Sequence, residues 1–300
     1  MDVLIFGGSG FVGQHLARRL QKEGNRALIA SRSARQVRYG QVVTYQRDRL
    51  AALLETLESD YAIVNLAGES INSGRWTESR KQRILRSRVE LTTQLAEAIA
   101  TVKKKPSVLV NASAVGYYGY SDNATFTEAS SSGHGFLSDV TTAWERSALL
   151  AEADTRVVLL RLGVVLGIDG GALVRMVLPY RLFAGGPVGQ GSQWLSWIHV
   201  EDVANLIIHA IQTPTMNGAL NATAPNPVTM DQFGRAIGKV LGRPHWLPVP
   251  AFAMKLLMGE MAEIVLQGQR VLPEKALLGG YTFLYADVDS ALTNLLGAGR

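Results

Sequence analysis

Cysteine is absent from the 300 residues. That excludes disulfides, thiolate nucleophiles, iron–sulfur clusters and cysteine-ligated zinc, and it permits a reducing compartment. Long apolar runs are also missing, so no segment is expected to span a membrane. The first apolar run starts within two residues of Met1, with no basic leader or cleavage site before it, so the cytoplasm is the expected compartment. Charge is sparse at 18%, with a net value of +5, and the basic residues are scattered. Nucleic acid is therefore not an expected partner. The one basic run, residues 103–105, precedes Pro106, where cations would favour the carboxyl end of a helix. The five histidines lack the spacing of metal ligands, so no metal site is expected. There is no Gly-x-Ser-x-Gly elbow for a serine nucleophile either.

Glycine, in contrast, is plentiful at 30 residues, about 10% against a usual share of roughly 7%. Short β-branched runs at 3–6, 27–31, 42–46, 62–67, 108–113 and 157–162 alternate with helical patterns such as 12–23 and 78–100. Strands apolar on both faces, separated by helices, predict a parallel sheet covered on both sides by right-handed crossovers. The fold class expected is α/β, a doubly wound parallel sheet of the Rossmann kind with a smaller substrate lobe and a C-terminal cap. The expected boundaries are 1–240 for the sheet domain, with substrate-lobe elements mainly in 167–240, and 245–300 for the cap. Met254 and residues 256–258 form a short apolar stretch that would pack that cap or a second subunit, which makes a homodimer an expected partner.

The strongest local signal is Gly7-Gly8-Ser9-Gly10-Phe11-Val12-Gly13, directly after the first strand and before a helix. Gly7 permits the tight turn, Gly10 lets backbone approach a pyrophosphate, and Gly13 allows close packing of the helix. The helix amino end then aims free N–H groups at the anion. A carboxylate about 20 residues on would bind a ribose 2'-hydroxyl. Here the second strand ends Ala30-Ser31-Arg32 instead, with Arg35 following. A guanidinium fork with the Ser31 hydroxyl suits a 2'-phosphate, which favours NADP(H) over NAD(H). A solvated surface arginine is the plainer alternative for Arg32. Asp48, after the third strand, would meet the adenine amino group or cap a helix.

The fourth strand runs into Asn65-Leu66-Ala67-Gly68, small residues that let backbone pass close to the second ribose. The fifth ends Asn111-Ala-Ser113-Ala-Val-Gly-Tyr117-Tyr118-Gly119. Ligands sit at the carboxyl ends of such strands, so Ser113 and one of Tyr117 and Tyr118 are expected to face the nicotinamide. A tyrosine pair in the core is the alternative.

Together with Arg161-Leu-Gly-Val-Val-Leu-Gly167 and Trp197-Ile-His-Val-Glu-Asp202, these motifs resemble the extended short-chain dehydrogenase/reductases of the NAD-dependent epimerase/dehydratase type. More narrowly, Asn65-Leu-Ala-Gly-Glu-Ser-Ile, Arg75-Trp76, Gly116-Tyr-Tyr-Gly119, Trp144-Glu145 and Gly268-Gln-Arg-Val-Leu-Pro273 resemble the atypical "epimerase family protein" branch, whose C-terminal domain has no known function. The resemblance implies a Tyr-x-x-x-Lys pair as general acid/base. None of the eight lysines has a tyrosine four residues before it. Counting back from Glu145 puts Leu137 and Thr141 at the two positions, and Arg88 replaces the helical asparagine of the usual tetrad.

The expected function is thus an NADP(H)-binding oxidoreductase or epimerase-like protein acting on a small carbonyl or hydroxyl substrate, sugar nucleotides included. Ser113 would work with Tyr117 or Tyr118, and Arg88 would tune the tyrosine or touch the cofactor. Val165, on the turn after the sixth strand, would offer backbone groups to the nicotinamide carboxamide. Glu145 would bond from helix to loop, and His199 would be structural. The alternative function is a non-catalytic NADP(H)-binding redox sensor or interaction module.

Overall fold

The computed structural model describes residues 1–57 and 60–297; the last three residues of the expected cap lie outside them. A seven-stranded parallel sheet runs through the molecule. Its strands are β1 (Asp2–Phe6), β2 (Arg26–Ser31), β3 (Gln41–Thr44), β4 (Tyr61–Asn65), β5 (Val108–Ala114), β6 (Arg156–Leu162) and β7 (Gly218–Ala222), in the spatial order β7-β6-β5-β4-β1-β2-β3. The order reverses between β1 and β4, and that switch point opens a crevice at the carboxyl ends of the strands.

Alternation along β1 shows why both faces are covered. Val3 and Ile5 enter one apolar cluster with Leu16 and Leu20 of α1 (Phe11–Lys22) and with Leu206 and Ile207 of α6 (Val200–Gln212). Leu4 and Phe6 enter the other, with Leu50 and Leu54 of α2 (Leu50–Glu55) and Leu91 and Leu95 of α3 (Glu78–Thr101). A period of two turns successive side chains to opposite faces, so one apolar strand feeds both layers. The Lys105 ammonium donates to the carbonyls of Ile99 and Ala100 at 2.7 and 2.8 Å, satisfying the carboxyl end of α3 as the basic run predicts.

The region expected as substrate lobe is divided. Helix α6 and strand β7 fall within 167–240 but complete the central layers, because α6 carries a broad apolar stripe that packs on α1. What remains is α5 (Leu173–Arg181), α7 (Met230–Leu241) and two short ladders. Val164–Leu166, just ahead of that region, pairs in parallel with Trp197–His199, and Trp194–Leu195 pairs antiparallel with Val228–Thr229. Beyond α7 lie α8 (Ala251–Met258), α9 (Glu263–Leu266), α10 (Glu274–Leu278) and α11 (Val288–Leu296). Residues 270–271 pair with 125–126 beside the crevice.

Candidate functional site

The glycine turn is shaped by close approach on two sides. Gly7 has φ +75°, and a Cβ there would lie 2.7 Å from the Leu66 carbonyl carbon, so the 65–68 segment passes directly over the turn. A Cβ on Gly13 would come within 2.5 Å of Gly8 Cα, so α1 packs on the turn itself. At Gly10 the only near neighbour of such a Cβ is the Gly7 carbonyl at 3.2 Å, which leaves that face open to a ligand. No side chain caps α1, so its first amides, at Phe11, Val12 and Gly13, remain available to an anion. The Phe11 ring is enclosed by glycines: a Cβ on Gly167, Gly170 or Gly171 would lie 2.4–3.0 Å from it. That contact seats the loop after Val165 against the turn, and His15 reinforces it by bonding both Asp169 (3.0 Å) and Glu201 (2.7 Å).

At the end of β2, Arg32 is exposed and makes no ion pair among the described residues, while Arg35 donates to the Ser9 hydroxyl at 3.0 Å. Two cations therefore stand at the mouth of the turn, with no carboxylate at the strand end. Ser31 departs from expectation: its hydroxyl is buried and donates to the Ser33 carbonyl at 2.7 Å, so it serves its own turn. Asp48 is exposed and caps neither of the helices beside it.

A cleft of about 480 Å³ opens from this turn along the switch point. Of the expected residues it brings together Gly7, Gly10, Phe11, Val12, Gly13, Leu66, Gly68, Arg88, Ser113 and Val165. Ser9 lines a neighbouring groove, and Ala67 packs into the core. Asn65 shapes the cleft from beneath. Its side chain donates to Asn111 (2.7 Å) and Thr92 (3.0 Å) and accepts from the Ala67 amide, which bends the chain after β4.

Arg88 lies under Gly68, its Cζ 3.0 Å from where a Gly68 Cβ would be. It donates to the carbonyls of Glu69 and Ile84, each at 3.0 Å, and rests on the Trp144 ring at 5.0 Å. Burial lowers its pKa to about 10, still cationic at neutral pH. A guanidinium held by carbonyls with no carboxylate partner keeps its charge for an anion in the cleft.

Ser113 heads a buried network that sequence reasoning missed. Its hydroxyl donates to Glu145 Oε1 at 2.7 Å, and Arg161 on β6 forks both Glu145 oxygens at 2.8 Å. Arg161 also donates to the Tyr118 hydroxyl (2.9 Å), which donates to Asn221 Oδ1 on β7 (2.7 Å). Burial opposes the Arg161 charge, but the Glu145 contacts outweigh it and hold the arginine pKa above its usual value. The bond expected from Glu145 to a loop is instead a strand-directed ion pair. The signal for it was an arginine inside the apolar run 157–162, which demands a buried acid.

The two tyrosines also need correcting. Neither Tyr117 nor Tyr118 lines the cleft among the described residues. Tyr118 is spent in the network, and burial raises its pKa despite Arg161. Tyr117 has the Arg161 guanidinium 3.5 Å from its ring centroid. Tyr120, two residues after Tyr118, does line the cleft. Leu137 lines it too, and the Thr141 hydroxyl bonds back to the Leu137 carbonyl at 2.8 Å. His199 is buried, accepts from the Glu201 amide at the start of α6, and is held neutral by burial, its pKa lowered to about 4. Among the described residues no group of His, Asp or Glu could hold a metal, and no helix is long and apolar enough to cross a membrane.

Comparison with known proteins decides the family. Residues 3–222 match the NAD dependent epimerase/dehydratase family. The chain belongs to that family. Residues 249–295 match a domain of unknown function. The chain is 46% identical over 299 residues to epimerase family protein YfhF of Bacillus subtilis, covering 99% of this chain and 98% of that one. It is 37% identical over 300 residues to human epimerase family protein SDR39U1, covering 99% and 100%. The crystal structure of human SDR39U1 (isoform2) with NADPH superposes with a TM-score of 0.92 at 36% identity over the whole of both chains. In this family member the glycine cradle, the open amides of α1, the unpaired Arg32 and the carbonyl-held Arg88 fit a phosphorylated dinucleotide.

Proposed function

We propose that this chain is an NADP(H)-dependent oxidoreductase acting on a small carbonyl or hydroxyl compound. The observation that carries the reading is a glycine turn with open helix amides, continuous with a cleft that contains Ser113, and an exposed Arg32 directly after β2. The human relative crystallised with NADPH supports the cofactor. The amides of Phe11, Val12 and Gly13 would hold the pyrophosphate, Arg32 with Arg35 the 2'-phosphate, Gly68 and Arg88 the second ribose, and the Val165 backbone the carboxamide. When bound, the nicotinamide gives or takes a hydride.

The chain's own chemistry centres on Ser113. Its hydrogen goes to Glu145, and Arg161 fixes that carboxylate as an acceptor, so the serine oxygen presents lone pairs to the cleft. It is therefore built to accept a hydrogen bond from a substrate hydroxyl and to orient that oxygen. In the test, NADPH absorbance is followed with a panel of aldehydes and ketones. Oxidation of NADPH with at least one of them supports the reading; in the reverse direction, NADP+ reduction by the matching alcohol should be lost in Ser113→Ala while NADPH still binds, and no oxidation with any of them opposes it.

One observation favours a sensor instead: Ile264, Gln267, Gly268 and Gln269, from the C-terminal segment, line the same cleft. Under that reading NADPH would slow hydrogen exchange across 263–271 without ever being consumed.

A further inference from the structure

Apolar side chains gather on the surface between α5 and α8. Leu182, Phe183, Trp246, Phe252, Leu256 and Leu257 are each 55–76% exposed. The last two belong to the stretch expected to pack the cap or a second subunit. Backbone ties bring these residues together. The Trp246 indole donates to the Phe183 carbonyl at 3.0 Å, and the chain from Leu247 to Val249 then runs along residues 185–189 into α8. Away from that strap, Arg175 of α5 donates to the Asn72 carbonyl, and Arg75 donates to the carbonyls of Leu256 and Leu257 at the end of α8. The two helices are thus joined at one end by residues 185–189 with 246–249, and at the other by residues 72–75.

Phe183 is the one non-glycine among the described residues at positive φ, +60°. A bulky side chain is strained there. Its ring nonetheless stands mostly in solvent, with the Arg243 guanidinium 4.1 Å from its centroid. The fold gains little burial in return for that strain, which points the ring at a surface outside the chain.

Charge decides what covers this face. Residues 170–200 and 232–259 hold six lysines and arginines and no Asp or Glu. Of the six, Arg175, Arg181, Arg243 and Lys255 form no ion pair among the described residues. The acids at the borders are already engaged: Asp169 by His15, Glu201 by Arg18, Asp231 by Arg235 and Glu260 by Lys81. A second copy docked through a two-fold axis would set these cations against themselves. Side chains this exposed project rather than wall a groove for a peptide. Exposed Trp, Phe and Leu ringed by Arg and Lys suit the boundary between lipid headgroups and acyl chains. The eight residues of α8 are too few to cross a bilayer, so that helix would lie on it.

We infer that this face docks on an anionic lipid bilayer, with Phe183, Trp246 and the exposed residues of α8 among the acyl chains and Arg175, Arg181, Arg243 and Lys255 against the headgroups.

The test adds vesicles of phosphatidylglycerol and phosphatidylcholine in equal parts, brominated on the acyl chains, to the full chain and reads tryptophan fluorescence. Trp246 is the reporter, since Trp76, Trp144 and Trp197 are buried. Saturable quenching is expected, with affinity about fivefold weaker in Arg181→Gln and at least about tenfold weaker in Phe183→Gly. Phe183→Gly should melt no lower than the parent, because glycine accepts that φ. If it does melt lower, the Leu256→Gln, Leu257→Gln double variant, altered where the side chains already meet water, carries the same expectation for binding. No quenching, equal affinity for phosphatidylcholine alone, or unchanged affinity in these variants overturns the inference. So does sedimentation of a lipid-free dimer that Phe183→Gly splits, which would give the face to a second copy.

Discussion

The two ends of the cleft are built in different ways. At the dinucleotide end the working parts are backbone: seven consecutive residues, four of them glycines, with Gly7 held by the close approach of Leu66 and Gly13 by that of the turn itself. At the substrate end they are side chains gathered from β5, α4 (Phe136–Leu149), β6, β7 and the C-terminal segment, joined through Ser113, Glu145, Arg161, Tyr118 and Asn221. The first end is one contiguous segment, with Leu66 and the 167–171 loop closing over it. The second exists only once the sheet has assembled, so its parts should fail together.

The largest effect tests that cooperation. Arg161→Met leaves the Glu145 carboxylate in the core without its counter-ion and takes one of its two bonds from the Tyr118 hydroxyl, and urea denaturation should show a loss of about 3–5 kcal/mol. A loss below about 1 kcal/mol would mean the two ends do not differ in this way. Next, Gly13→Ala drives a methyl into backbone at 2.5 Å. It should cost about 1–3 kcal/mol in stability and abolish calorimetric NADPH binding, whereas Gly24→Ala, with open space around it but a φ of +76°, should cost about 1 kcal/mol and leave NADPH affinity intact. Arg32→Ala should weaken NADPH relative to NADH by about 1–3 kcal/mol, and equal losses for both would return Arg32 to the solvent.

The smallest effect concerns the latch at His15. The Glu201 hydrogen bond, against some desolvation and with help from Asp169, raises the His15 pKa above its ordinary 6.5. A raised folded-state pKa gives stability that is fully present below about 6.5 and fades as pH rises through the folded value. His15→Gln should therefore be destabilising at pH 6, by less than about 1 kcal/mol given partial solvent screening, and nearer neutral at pH 8.5. A pH-independent difference would remove the ionic part of the latch.

The same contrast explains what was legible in the sequence. The sheet, its helices and the phosphate turn follow from periodicity and from contiguous glycines between a strand and a helix. The Ser113 network was not legible, because Glu145 meets Arg161 across 16 positions and Arg161 meets Tyr118 across 43. Tyr117 and Tyr118 were reasonable by residue type, but spacing cannot show that Gly119 turns the chain so that Tyr120 reaches the cleft. Ser31 failed for a similar reason, since its competing partner, the Ser33 carbonyl, is a backbone group.

Calorimetric titration of the folded protein with NADPH and with NADH tests the central claim most directly. The account predicts one site per chain, with NADPH bound at least tenfold more tightly than NADH and that margin lost in Arg32→Ala. Heat from neither nucleotide, with a cooperative melting transition intact, would contradict it.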